Sequence, residues 1–264
     1  MQVIKYRWEN WEPRLILQDN SSLQKIELFD NNLELKLGEK TCIGYFKAGK
    51  HYKCPYKNKT EFENNCSDCQ RMDDFFHCIK CNGSSCINEK MRKECTQNNY
   101  FIYLAAFNTL LKVGISHEQR LLERLVEQGA DFGAKIAFVK DGKTVRETEQ
   151  KVKNYLHITD RIRGNEKQDM LFANPNLSVI RLSNAINKLK GNGFPLIHPE
   201  IYDMRKYYRL ENTPSKPKKI DIKTNTKIKG RVVSAKGNIL VLKNKNNFYS
   251  LNAHALIGRE ILSI

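Results

Sequence analysis

The strongest chemical signature in this sequence is carried by cysteines. Seven of the eight lie between positions 54 and 95, as Cys54, Cys66-x-x-Cys69, Cys78-x-x-Cys81, Cys86 and Cys95, and the eighth, Cys42, lies just ahead. A Cys-x-x-Cys knuckle lets two thiolates grip one ion from a tight turn, and a second pair completes a tetrahedron. Four thiolates suit zinc, which is redox-silent. An iron–sulfur cluster is the other chemistry such spacing allows, and buried free thiols are the plain alternative. Seven ligands exceed one site and fall one short of two. One or two Zn²⁺ ions are therefore expected, with His51, His77 or Cys42 open as the eighth donor. An all-sulfur site leaves no position for water, which makes the zinc structural rather than catalytic.

A second set of residues has the types needed for phosphate chemistry. Arg120 and Arg124 are spaced i, i+4 and share a helix face, where they could clamp a phosphate or form a solvated basic surface. Val145, Glu149, Val152 and Leu156 form one stripe of a helix. Glu149 is the polar member of that stripe, and a carboxylate there is costly unless paired or metal-bound. Tyr103 lies in an apolar strand-like run, either as half-buried packing or as a group near a reacting water. Ser116 and the backbone after Gly114 could cradle a phosphate. His157, Asp160, Arg161 and Arg163 read more simply as a polar loop. Further on, Arg205, Lys206, Tyr207 and Tyr208 combine cations with rings that could stack on unpaired bases, and Lys218 and Lys219 follow. A solvated linker is the bland reading of that stretch.

These residues need elements to hold them. Residues 1–48 read as short strands (Val3–Tyr6, Leu15–Leu17, Ile26–Phe29, Leu33–Leu37, Thr41–Phe46) separated by turn residues, a small β unit. Residues 49–98 lack helical or strand periodicity and form the zinc-binding cysteine module. Residues 99–204 read as a mixed α/β unit. Two strands, Tyr100–Phe107 and Leu110–Ile115, meet at Asn108–Thr109, a third strand covers Lys135–Val139, and helices are expected to open at Ser116, at Thr144 and after Ser183. Gly129 and Gly191 are placed to end the first and last of these. Residues 205–229 form a basic linker with nine Lys or Arg against two acids, and residues 230–264 return to short strands as a C-terminal β module. The fold class expected is α+β.

The net charge of +16 and pI near 9.4 favour an acidic partner, nucleic acid above all, over a small neutral one. A lysine-rich surface serving solubility is the alternative. No apolar run approaches the roughly 18 to 20 residues of a membrane span. Met1–Trp11 carries charges and tryptophans rather than an apolar signal core, so the expectation is a cytoplasmic protein with no membrane partner.

The segments Tyr103-Leu-Ala-Ala-Phe107 and Lys112-Val-Gly-Ile-Ser116, with Arg120, Arg124 and Glu149, resemble a GIY-YIG nuclease domain over roughly residues 100–157. The resemblance implies that Tyr103 matches the first tyrosine, Gly114 the glycine, Arg120 the arginine and Glu149 the carboxylate that holds a divalent metal. Lys112 stands where the second tyrosine usually is. More broadly, the chain is similar to a family of uncharacterised prokaryotic proteins with a domain of unknown function. The matching features are Cys-x-Gly-Tyr-Phe at 42–46, the cysteine array, Lys-Val-Gly at 112–114, Glu-Gln-Gly-Ala at 127–130 and Asp160-Arg161. The nuclease resemblance implies phosphodiester cleavage with Mg²⁺ or Mn²⁺, with Tyr103, Lys112, Arg120 and Glu149 as its catalytic set. The alternatives are a non-catalytic DNA- or RNA-binding factor, tRNA included, and a nucleic-acid-modifying enzyme on the same fold.

Overall fold

In a computed structural model the chain is α+β, and residues 1–19, 22–79, 81–84, 86 and 88–263 are described. In chain order the strands are β1 (Gln2–Glu9), β2 (Glu12–Gln18), β3 (Leu23–Glu27), β4 (Asn32–Lys40), β5 (Tyr45–Lys47), β6 (Lys50–Tyr52), β7 (Asn99–Phe107), β8 (Leu110–His117), β9 (Phe132–Lys140), β10 (Glu200–Asp203), β11 (Lys218–Lys219), β12 (Lys227–Lys236), β13 (Ile239–Asn244), β14 (Asn247–Asn252) and β15 (Arg259–Ser263). The helices are α1 (Ser67–Met72), α2 (Phe76–Ile79), α3 (Glu89–Gln97), α4 (Leu121–Gln128), α5 (Gly142–Leu156), α6 (Gly164–Asp169) and α7 (Pro175–Gly191). They fall into two compact units, one made of residues 1–76 with 208–264 and the other of residues 77–207.

In the first unit the two ends of the chain build one sheet, in the order β11-β14-β13-β12-β4-β15-β1-β2-β3. The alternation in β1 and β4 sends Ile4, Tyr6, Trp8, Leu33, Leu35 and Leu37 inward, as a half-buried strand requires. β4 pairs with both β12 and β15, so the N-terminal strands and the strands after residue 226 share their ladders. The seam is closed by large side chains whose polar atoms find partners. Trp8 is fully buried and donates its indole N–H to the Gly237 carbonyl (2.8 Å), and the Tyr6 hydroxyl donates to the same oxygen (2.6 Å). Gly237 punctuates β12 and β13, and β13 and β14 meet at Asn244–Asn247, where the turn residues stand in the sequence. Thr41–Phe46 is not the strand its apolar residues suggest. After Thr41 the chain leaves the sheet, and only Tyr45–Lys47 is extended, in the hairpin β5–β6.

In the second unit an antiparallel sheet runs β10-β9-β7-β8. Tyr100, Ile102, Leu104 and Ala106 alternate onto one face, where they pack with Val145 and Val152 of α5 and Leu182, Ile186 and Leu189 of α7. α4 lies on the other face, because a Cβ on Gly133 would sit 2.4 Å from the Leu125 side chain. The helix starts differ from the Ser- and Thr-based expectations. Ser116 remains in β8, and a 3-10 turn at Glu118–Arg120 precedes α4, which ends on left-handed Gly129 as expected. α5 begins at Gly142 and not at Thr144, capped by Asp141, whose carboxylate accepts from the Lys143 N–H (3.0 Å). α7 begins eight residues before Ser183, capped by Asn174 with Pro175 behind it, a standard helix opening.

Candidate metal centre and candidate active site

The first unit gathers four cysteines from separate segments. Cys42 follows the end of β4, Cys54 follows the hairpin β5–β6, and Cys66 and Cys69 lie at the start of α1. Their four sulfurs all lie within 4.8 Å of one another. A tetrahedron of zinc–sulfur bonds of about 2.3 Å has edges of about 3.8 Å. The Cys54–Cys66 sulfur separation is 3.8 Å. Backbone amides complete the surroundings: the Cys42 sulfur accepts from the Cys66 N–H (3.1 Å) and the Gly44 N–H (3.4 Å). Gly44 has φ +90°, and a Cβ there would lie 1.9 Å from the Tyr52 carbonyl oxygen, so only glycine lets the Cys42 loop close on the hairpin.

Burial pushes the Cys42 thiol up to about 11 and raises Cys69 further. Burial also opposes ionisation of Cys66, but amide and side-chain hydrogen bonds from Cys69 and Asn58 outweigh it and bring that thiol to about 7. Buried thiols that resist ionisation in bare protein are stabilised as thiolates by a cation, which is the coupling expected of a structural zinc site. The donor set and the spacing therefore fit a zinc ion held by four thiolates. Cys42, outside the dense 54–95 run, supplies the fourth sulfur of this group. His51 lies outside the four-sulfur group, and its Nε2 hydrogen-bonds the Ile43 carbonyl (2.6 Å). Cys78, Cys81, Cys86 and Cys95 belong to the other unit, so the single cysteine module of the sequence is divided between the two.

The second unit sets Tyr103 over Gly114 and brings the charges of α4 and α5 to bear on Tyr103 and Lys112. Tyr103 on β7 pairs across the ladder with Gly114 on β8, and Ala105 pairs with Lys112. Cross-strand partners project to the same face, so Tyr103 and Lys112 share it. The Tyr103 ring lies over Gly114, where a Cβ would be 2.5 Å from its Cζ and Oη. Tyr103 is 1% exposed and Lys112 9%. Arg124 of α4 acts on the Tyr103 hydroxyl and pairs with Glu127 (3.1 Å). Glu149 of α5 and Asp160 act on Lys112. The chain after α5 runs beside β8, with a parallel bridge between Lys112 and Thr159, and this carries Asp160 to the group.

The environment shifts each titration. Burial holds Tyr103 protonated, at about 12, despite Arg124 beside it. Burial, reinforced by Arg124, lowers Lys112 to about 8 against the pull of Glu149 and Asp160. Burial raises Glu149, with Lys112 opposing. Among the described residues, no hydrogen bond or ion pair holds the Glu149 carboxylate. A buried amine poised near neutrality beside a carboxylate can move a proton, and an unpaired carboxylate can hold a cation.

Arg120 does not join this group. It is half exposed and bonded to Glu123 and Glu127 at the helix surface; Arg124, one turn on, is about as exposed (47% against 52%) and also bonds Glu127, but its charge acts on Tyr103. Asp160 lies in a loop, as expected, where it pairs with Lys153 (2.6 Å), and its charge also acts on Lys112. The motif spacing carries no signal for Asp160, because a strand-like bridge outside the helix brings it in. Of the other basic candidates, Arg205 is held by Asp203 (2.6 Å) and lies over the Phe132 ring, and Lys206 lies over Tyr207. Tyr208 is fully buried edge-on to Trp8, so its ring cannot stack on a base. Lys218 and Lys219 are exposed on β11.

An α+β chain with a four-cysteine centre in one unit and a buried Tyr-Lys-Arg-Glu group in the other is the class defined by this fold and these sites. The chain belongs to the family described as protein of unknown function (DUF2797), which matches residues 30–261. No curated protein and no solved structure matches it. Among the described residues no helix is long and apolar enough to cross a membrane.

Proposed function

We propose that the second unit is a divergent GIY-YIG-like nuclease site that cleaves phosphodiester bonds of nucleic acid. The observation that supports this reading is that buried Tyr103, packed on Gly114, and buried Lys112 share one sheet face and both feel the charges of Arg124 and Glu149. The β7-β8-α4-β9-α5 order puts Tyr103 and Lys112 on adjacent strands, Arg124 on the helix that follows and Glu149 on a later helix.

Arg124 takes the phosphate-binding role that the resemblance implied for Arg120, since it faces the buried tyrosine. Tyr103, held protonated, positions the attacking water by donating a hydrogen bond, and does not act as the base. Lys112, in its neutral form, accepts the proton of that water as the water oxygen bonds to phosphorus and the opposite P–O bond breaks. Glu149 is the carboxylate suited to Mg²⁺ or Mn²⁺, which take one or two carboxylates together with substrate phosphate oxygens. A divalent cation there supplies charge stabilisation at the phosphoryl oxygens. The net charge of +16 supports a polyanionic substrate.

A second reading, a non-catalytic nucleic-acid-binding factor, is favoured by Lys112 in place of the motif's second tyrosine. The test uses the full zinc-loaded chain with Mg²⁺ or Mn²⁺ on labelled single-stranded, duplex, flapped and branched DNA and structured RNA. Cleavage that falls by about 10²-fold or more in Glu149→Gln is expected. Salt-sensitive binding without turnover in both proteins rejects the nuclease and leaves the binding factor.

A further inference from the structure

We infer that Cys78, Cys81, Cys86 and Cys95 form a second zinc site, separate from the Cys42 centre and fixed to the start of α5. Their sulfurs stand wider apart than the 4.8 Å that bounds the first set, and it is the packing of the segments that carry them that points to a site. The Cys81 N–H donates to the Cys78 carbonyl (3.3 Å), which curls the Cys-x-x-Cys segment into the turn a knuckle needs. Asn88 joins the next two donors: its side-chain amide points at the Cys78 sulfur (4.0 Å), and its carbonyl accepts from the Cys86 thiol (3.5 Å). None of the four cysteines is in a disulfide.

The surrounding chain is built to bring this group against α5. Gly83, in the loop between the pairs, has φ +90°, and a Cβ there would lie 2.9 Å from the Lys143 carbonyl oxygen and 3.0 Å from the Glu147 side chain. Gly142, the first residue of α5, would place a Cβ 2.0 Å from the Cys95 sulfur. Both positions therefore exclude a side chain, one on the cysteine loop and one on the helix it meets. Arg146, one turn into α5, directs a guanidinium nitrogen at the Cys95 sulfur (3.7 Å), and the Tyr100 hydroxyl lies 3.9 Å from it. Arg92 of α3 forms a bidentate pair with Asp141, the residue that caps α5. A tetrathiolate zinc site carries a net charge of −2, and the Arg146 guanidinium offsets part of it. The site thus joins the 78–95 segment to the first turn of the helix that carries Glu149.

The test is the metal content of the full chain, which is independent of whether it cleaves anything. Purified protein should hold two equivalents of zinc. Cys81→Ser and Cys86→Ser should each hold one, while Cys66→Ser loses the other equivalent. In the cobalt-substituted protein the thiolate-to-metal charge-transfer absorbance should fall by half in Cys86→Ser. Cys86 is exposed, so this variant leaves the packed interior intact, and unchanged near-UV circular dichroism checks that it does. One equivalent in the wild type, or two equivalents retained in both Cys81→Ser and Cys86→Ser, overturns the assignment.

Discussion

Replacing Lys112 with methionine should make the protein more stable at neutral pH. The ordinary lysine value of 10.5 falls to about 8 in the folded chain, chiefly through burial. At about 1.4 kcal/mol per pH unit, holding this amine protonated costs the folded state about 3 kcal/mol below pH 8. Between pH 8 and 10.5 the unfolded chain binds the extra proton, so the wild type gains stability as pH rises through that window and the cost vanishes above it. Methionine keeps most of the aliphatic stem and removes the charge. Glu149 then loses a counter-charge, which trims the gain to about 2 kcal/mol, within the range seen when buried ions are replaced by apolar groups. The assay is urea unfolding of both proteins at pH 7 and pH 10, followed by far-UV circular dichroism. Tryptophan fluorescence is an internal control, because both tryptophans, Trp8 and Trp11, belong to the first unit. The second-unit transition of Lys112→Met should move to higher urea at pH 7, the gap should close toward pH 10, and the fluorescence transition should stay in place. A variant no more stable than wild type at pH 7, or a gap independent of pH, refutes the reasoning.

Two further outcomes follow from the same geometry. Gly114→Ala places a methyl group 2.5 Å from the Tyr103 ring; the ring must move, at a cost of about 1–3 kcal/mol in unfolding free energy. Cleavage should fall with it even at temperatures where circular dichroism shows the variant folded. Cys69→Ser removes a fully buried ligand of the first centre, so the protein should lose one zinc equivalent on metal analysis. Its tryptophan-fluorescence transition should move to lower urea, while the unfolding of the second unit should not follow.

The local patterns of the strands and the turns at Asn108, Gly129 and Gly237 are legible in the sequence because their causes are local: period-two burial, left-handed glycine and short polar breaks. What is not legible is non-local. Nothing near residues 30–40 announces that β4 will lie between β12 and β15, some two hundred residues away in sequence. Nor does spacing show that Cys42, separated from the dense run by the hairpin β5–β6, completes the four-sulfur group while Cys78 belongs to the other unit. Tyr208 illustrates the converse. Among lysines and arginines it reads as a base-stacking ring, but the indole of Trp8 claims it for the core. The choice between Arg120 and Arg124 turned on helix phase. The 3-10 turn at Glu118–Arg120 delays α4 by a turn, so the second arginine rather than the first meets Tyr103.

The second unit carries a cost that packing alone does not require. Lys112 lies in β8 between Leu111 and Val113, where an apolar residue would satisfy the strand and remove a desolvated charge. Tyr103 is buried over a position that must be glycine, and Glu149 interrupts the apolar stripe of α5 without a hydrogen-bonded partner among the described residues. Each departure is separately relievable by one substitution, and all three meet at one place. Local violations that converge on a single point are what a site that needs a poised proton acceptor and a free carboxylate imposes, whereas a surface that only binds a polyanion needs exposed cations and none of this burial. The distinction is measurable in one variant. Under the catalytic reading Lys112→Met is more stable and inactive; under the binding reading it is more stable and binds nucleic acid as the wild type does, with no turnover lost because none existed.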